Sequence, residues 1–385
     1  MEVRQFHTQS SGVSLPALGE LSDLAPQLVL AFGAVRHFTD PAFFPTLREV
    51  FPGAMLAGCT TAGEIGVDGV SDDGLVLNAL NFRHPALSLA STDFAGIADS
   101  RAAGERLASQ LAADREGEKL HHILVFGQGV NINGSALIEG LAAVAGSQVV
   151  ISGGLAGDGG AFRQTWVLCD EGVSDHRIVA VGFYGPSIRL GHGSFGGWQP
   201  FGPARKVTRA AGSVLFELDG EPALDVYKRY LGEYADGLPA SGLLFPLSML
   251  GVDHRAMGLI RTILGVDEVQ RSLILAGDVV EQGYMQLMHA SSDALVDGAT
   301  AAAEAARAVL DGAEPSLSIL VSCVGRKLVM GARTEEEVEA VAEVFGNRGL
   351  VTGFYSYGEI SPFLSTTECK LHNQTMTITT LSERL

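Results

Sequence analysis

Short apolar runs of strand length alternate with amphipathic stretches, and the whole order repeats. Gln27–Gly33 is such a run, a helix follows Pro41 to about Phe51, and Ala54–Gly58 is apolar again. Gly74–Phe82 and Ala86–Asp93 read as paired strands about Arg83-His84-Pro85, and Ser100–Ala113 reads as a helix. The second pass runs through strand His121–Gly127, helix Gly134–Ala145 and strand Gln148–Gly153, then three strand-like runs at Arg163–Asp170, His176–Tyr184 and Ser187–Gly193.

Gly196–Pro203 is rich in Gly and Pro and is expected to be an irregular bridge between halves. Beyond it, strand Val214–Leu218 precedes a helix from about Glu221, with strands at Ala256–Leu264, Ser272–Gly277 and Tyr284–His289. The Ala-rich stretch Ser291–Leu310 is the clearest helix, with Ser291 or Ser292 placed to cap it. A third pass follows as strand Leu317–Cys323, a helix from about Thr334 and strand Leu350–Phe354, and a single Thr-rich strand is expected over Leu371–Leu381. The pattern predicts an α/β protein with mixed sheets, in two domains (25–215 and 216–381) built from repeated β-α-β-β-β units.

Each pass ends its second strand in a similar turn: Gly58–Glu64, Ser152–Asp158 and Gly353–Glu359, each a small residue, four others, then Gly and an acid. Such turns allow backbone to approach a ligand, and consecutive N–H groups form a nest for an anion. Gly58, Thr60, Thr61, Gly63 and Gly358 are therefore candidate ligand-binding positions. The alternative is that the glycines only permit a bulge or close packing. Glu64 stands where a phosphate-binding loop has Lys, which disfavours nucleotide phosphate, and the repeated acids can equally cap neighbouring turns.

A formal charge of −18 argues against nucleic acid and anionic membrane surfaces as partners. No apolar run is long enough to span a bilayer, and the N-terminus lacks the form of a secretory signal, so a cytoplasmic location is expected. The four cysteines lie far apart, without C-x-x-C spacing, and read as reduced thiols. Cys59 lies in a Gly-rich turn, where a thiol-dependent enzyme would use it, but no oriented base is visible, and a small buried Cys is the competing reading. The chain is expected not to be an enzyme.

Gly58–Ile65, Gly153–Asp158, Gly197-Trp-Gln-Pro200 with Val207-Thr208, Pro222–Leu231, Gly353–Ile360 and Leu371–Thr377 together resemble the FIST family, a ligand-sensing module of FIST N and FIST C domains. The resemblance covers roughly residues 25 to 380. It implies a small-ligand sensor in signal transduction that acts with a separate histidine kinase or cyclic-di-GMP enzyme, as in two-component signalling. A free-standing subgroup, the nitric-oxide-sensing proteins (NosP), implies haem b as cofactor and nitric oxide as signal. A haem-free module binding an amino acid or similar metabolite is the second reading. A homodimer is compatible with either.

Haem needs a neutral imidazole and an apolar slot. By alternation His372 shares a face with Met376 and Ile378, His192 with Ile188 and Leu190, and His289 with Met285 and Leu287. These three and His254 are the candidate iron ligands, His372 and His192 first; the alternative for each is a core histidine hydrogen-bonded to backbone. Arg255 and Arg261 fall on one strand face and are expected to clamp a propionate or substrate carboxylate, unless they are solvated surface residues. His121 and His122 are expected at the surface, and His84 in a turn.

Overall fold

The computed structural model describes residues 1–9, 18–84, 86–113, 115, 117–346, 348–362 and 368–384. The chain opens with β1 (Glu2–Thr8) and a short α1 (Gly19–Ser22). A first unit then runs β2 (Leu28–Gly33), α2 (Val35–Phe38), α3 (Phe43–Val50), β3 (Met55–Thr60), the hairpin β4 (Glu64–Gly66) and β5 (Gly69–Ser71), and β6 (Leu75–Asn81). After β7 (Leu87–Asp93) and α4 (Ser100–Leu111), the second unit repeats it: β8 (Leu120–Gly127), α5 (Gly134–Ala145), β9 (Val150–Leu155), the hairpin β10 (Val167–Cys169) and β11 (Gly172–Ser174), and β12 (Arg177–Tyr184). β13 (Ile188–Phe195) closes that half.

An insertion follows, made of β14 (Gln199–Ala211), β15 (Val214–Leu218), β16 (Glu221–Pro222), α6 (Ala223–Leu231), β17 (Leu247–Leu250), β18 (Ala256–Arg261), β19 (Ile263–Asp267), β20 (Ser272–Leu275) and β21 (Tyr284–His289). It forms a sheet and a core of its own, around Leu215, Leu224, Tyr227, Leu273 and Met285. The third unit comes after α7 (Ser292–Val309): β22 (Leu317–Cys323), α8 (Val324–Met330), α9 (Glu335–Val344), β23 (Leu350–Ser356), the hairpin β24 (Gly358–Pro362) and β25 (Cys369–His372), and β26 (Met376–Glu383).

The three units close a cycle by exchanging hairpins. In each, the first and second strands pair in parallel and the last pairs antiparallel to the first, giving β6-β2-β3, β12-β8-β9 and β26-β22-β23. The hairpin of each unit then joins the preceding unit's sheet: β10 pairs with β3, β24 with β9, and β4 with β23. At the opposite edges lie β1, β7 and β13.

The sheets of the three units are buried on both faces at their central strands, which is why those strands read as continuous apolar runs. Leu28, Leu30 and Phe32, Leu124 and Phe126, and Leu317, Ile319 and Val321 point inward to one shared core. The alternate residues face helices: Val29 and Ala31 pack with Phe43 and Leu47 of α3, Ile123 and Val125 with α4 and α5, and Leu320 with α7 and α9. The fold is thus a mixed α/β architecture of repeated units, as the pattern predicts.

Three local expectations differ from the structure. Gly196–Pro203 is not wholly irregular, because β14 starts at Gln199, and its prolines are tolerated beside a break in register between Phe201 and Arg205. The expected terminal strand is two strands in two sheets, β25 and β26, parted at Asn373–Thr375. Residues 215 and 216 both lie inside β15. Ser291 does cap α7, accepting the Ala294 N–H at 3.2 Å.

Candidate functional site

The glycine turns meet where the parallel strands end. Gly58, Gly153 and Gly353 lie directly opposite Ala31, Val125 and Leu320 in the parallel registers. A Cβ at these positions would stand 1.9, 1.9 and 1.8 Å from the facing carbonyl oxygens, so the glycines have a packing reason independent of any ligand. Four residues on, the Ala62 N–H donates to the Tyr355 carbonyl at 2.8 Å, Gly157 to Thr60 at 2.9 Å and Tyr357 to Leu155 at 3.2 Å. Each unit thereby donates one backbone bond to another, and the three bonds form a closed ring.

This geometry corrects the second repeat by one residue: Gly153, not Ser152, is equivalent to Gly58 and Gly353. Asp158 then falls opposite Gly63 and Gly358, and its role differs from that of the other acids. Its carboxylate accepts from the N–H groups of Phe162, Arg163 and Gln164 and pairs with the Tyr357 hydroxyl, folding its own loop. Glu64 and Glu359 are a true pair. Glu64 accepts from Thr61 Oγ1 at 2.5 Å, Ser71 Oγ at 3.1 Å and Gly74 N at 2.8 Å. Glu359 accepts from Ser356 Oγ, Thr375 N and Thr375 Oγ1 at 2.9 to 3.1 Å.

Burial raises the pKa of both carboxyls despite these donors, and pushes Glu359 up to about 8. A carboxyl whose folded pKa exceeds its unfolded value binds more protons when folded, so its contribution is full below about pH 4.5 and fades as pH rises to about 8. His372, held down at about 4 by burial, acts in the opposite sense only below the ordinary histidine value of 6.5. Between pH 6.5 and 8 the wild-type denaturation midpoint should therefore fall with rising pH, and Glu359→Gln should flatten the slope. Denaturant titrations at several pH values check this; equal slopes would refute it.

Above the first turn lies a cleft of about 800 Å³. Its walls come from all three units: Arg36 of α2, the turn Thr61–Glu64, the loop Asp158–Gly160, and Lys327 and Leu328 of α8, with Asp72 and Asp73 between β5 and β6. Lys327 Nζ donates to the Ala62 carbonyl at 2.9 Å and pairs with Asp72, while Arg36 donates to the carbonyls of Gln9 and Asp73. The cleft thus offers both signs of charge beside backbone of two repeat turns. Tyr357, stacked on Phe162 with ring centroids 4.0 Å apart, holds the Asp158 loop from behind.

Of the expected ligand-binding residues, Thr61 and Gly63 line this cleft. Thr60 is buried and accepts the Trp166 N–H, Gly58 is buried in β3, and Gly358 packs against Leu155 and Leu371. Arg36 and Lys327 escaped the sequence reading, although each is a cation just past the end of an apolar strand in a strongly acidic chain.

The four candidate histidines are not brought together. His372 is buried in β25 with Nε2 3.1 Å from the Ser361 carbonyl, and it does not share a sheet with Met376 and Ile378. His192 is buried in β13, paired opposite Thr379, with no hydrogen-bond partner at Nδ1. His289 and His254 belong to the insertion, packed against Phe201 and Tyr284. None of the four lines the cleft above the glycine turns. No group of three or more His, Cys, Asp or Glu suited to a metal ion occurs among those residues.

The arginine clamp does not form. Arg255 is 88% exposed beside Asp253, whereas Arg261 is buried and donates to the carbonyls of Asp278, Ile260 and Leu371. His121 and His122 are also not free surface residues: His122 is buried against Ser152 Oγ at 2.7 Å, and His121 is half-buried. Cys59 is buried in the shared core and its thiol pKa is pushed up by burial, which leaves it unsuited to act as a nucleophile.

Known proteins add the following. The FIST N domain model matches residues 27–221 and the FIST C domain model residues 223–362. Uncharacterized proteins of two Mycobacterium tuberculosis strains are each 28% identical over 355 residues, 89% of this chain and 88% of theirs. One from Methanocaldococcus jannaschii is 24% identical over 349 residues, 82% of this chain and 62% of its own. Among solved structures, cyanuric acid hydrolase from A. caulinodans aligns over 100% of this chain and 99% of its own, with 10% identity and a TM-score of 0.40. That title names an enzyme, so the expectation of a chain without enzymatic activity is withdrawn; the likeness is too slight to carry an argument about chemistry. No helix among the described residues is long and apolar enough to cross a membrane. FIST domains are sensor domains of signal transduction, and with both domain models matched along its length this chain belongs to the FIST family.

Proposed function

We propose that this chain senses a small zwitterionic metabolite of the amino-acid class, bound in the cleft above the first glycine turn, and reports occupancy to a separate histidine kinase or cyclic-di-GMP enzyme. The observation that carries the reading is the convergence of three units on one cleft lined by both signs of charge. Lys327 and Arg36 suit a ligand carboxylate, and the carboxylates of Asp72 and Asp73 suit an ammonium group. A ligand touching all three units would bear on how they close, which gives occupancy a route to the outer surface.

Haem with nitric oxide as signal is the finer reading that the family suggests, and no observation on its candidate histidines favours it over a metabolite. A thermal-shift panel of amino acids and related carboxylates tests the proposal. A ligand at about 100 times its Kd should stabilise the chain by about 2.7 kcal/mol. Lys327→Ala should weaken that ligand about tenfold or more, the effect of losing about 1.4 kcal/mol of a charge-assisted contact. No shift across the panel, or an unchanged response in the variant, would remove the reading; a Soret band that moves on adding nitric oxide would replace it with the haem sensor.

A further inference from the structure

A second cleft, of about 750 Å³, lies at another edge of the molecule, between the segment leading into β8, the turn before β13 and the C-terminal end of α7. Lys119, His121, Arg189 and Arg384 line it, together with the acids Glu118 and Asp311. In a chain with 44 acidic and 26 basic residues, a lysine or arginine ordinarily finds a carboxylate partner. Lys119, Arg189 and Arg384 make no ion pair among the described residues, although two carboxylates share the cleft. Three unpaired cations therefore converge on one concavity.

His121 supplies the second observation. Its ring hydrogen-bonds the Gly185 backbone, and its Nε2 is buried without a partner. With the ring proton engaged at the backbone, Nε2 carries the lone pair and is satisfied only by a donor. A carboxylate has no proton to give. Hydrogen phosphate and protonated phosphate monoesters have both negative charge for the cations and an O–H for the imidazole.

From this juxtaposition we infer that the cleft at Lys119, His121, Arg189 and Arg384 is a phosphate-group binding site, separate from the cleft above the glycine turns. The site takes either free phosphate or the phosphate of a small monoester, and it stands whether or not the metabolite reading holds.

The full chain is melted across a series of inorganic phosphate concentrations, with potassium chloride at matched ionic strength as reference and glycerol phosphate in parallel. A saturable rise in melting temperature is expected in phosphate and not in chloride. Arg189→Gln/Arg384→Gln should shift half-saturation upward by about tenfold or more, a loss of about 1.4 kcal/mol. Arg209→Gln/Lys228→Gln, which removes the same charge from the insertion, should respond like wild type. A stronger response to glycerol phosphate than to phosphate assigns the site to monoesters, and the reverse to the free ion. Absence of a saturable response, an unchanged response in Arg189→Gln/Arg384→Gln, or an equal loss in the insertion variant would overturn the inference.

Discussion

Gly353→Ala should destabilise the chain by about 4 kcal/mol, most of the stability of a marginal domain. The methyl group would stand 1.8 Å from the Leu320 carbonyl oxygen, in a paired parallel register where neither strand can move alone. β23 also carries the hairpin β4–β5 of the first unit, and Tyr355, two residues on, accepts one bond of the ring that joins the units. Displacing the strand thus loosens contacts in two units at once. Gly346→Ala is the control: φ there is +66° and nothing lies within 4 Å, so the cost is the local backbone strain of about 1 kcal/mol. Denaturant titration separates the two. If Gly353→Ala is no worse than Gly346→Ala, close approach is not the reason for the repeated glycine.

Arg326→Met should cost about 3 to 5 kcal/mol, because it strands a buried carboxylate. Arg326 and Glu337 are both fully buried, joined by Nη2 to Oε2 at 2.7 Å and Nε to Oε2 at 3.0 Å. Arg326 also donates to the carbonyls of Gly196 and Leu295, and Glu337 accepts from Ser322 and Tyr355 at 2.8 Å each. The pair thereby ties the third unit to the chain on either side of the insertion. Adding Glu337→Gln removes the stranded charge while keeping an acceptor for Ser322 and Tyr355, so the double variant should recover at least half of the loss. Additive losses in a double-mutant cycle would show that the two groups act separately. Lys327 follows Arg326 in α8, and the single variant should also weaken binding in the cleft above the glycine turns.

Strands buried on both faces are continuous apolar runs, so Leu28–Gly33, Leu120–Gly127 and Leu317–Cys323 were legible in the sequence, as was α5 over Gly134–Ala145. What stayed hidden was which strand joins which sheet. β4, β5, β10 and β11 are three residues long, β4 and β10 carry their hairpins into another unit's sheet, and no local pattern encodes a partner more than a hundred residues away. The repeated turn was legible as a duplication, but the one-residue slip in its second copy emerged only from the strand register.

The site followed the same division. Thr61 and Gly63 were readable from their turn, whereas Arg36 and Lys327 reach the cleft from different units. His372 and His192 are both buried as expected, but for His372 the reason differs, since the strand breaks after it and Met376 and Ile378 lie in another sheet. Burial is a poor guide to ligation, however, since a packed strand face that hides an imidazole from water also hides it from an iron.

The most direct test is amide hydrogen exchange of the full chain with and without the amino acid or related carboxylate that gives the largest thermal shift. The account predicts added protection in the turn at residues 61–64, the loop at 158–163 and α8 at 324–330, with little change in β25 or in β13. Protection centred on the strands that carry His372 and His192, or no ligand-dependent protection in the three predicted segments, would contradict it.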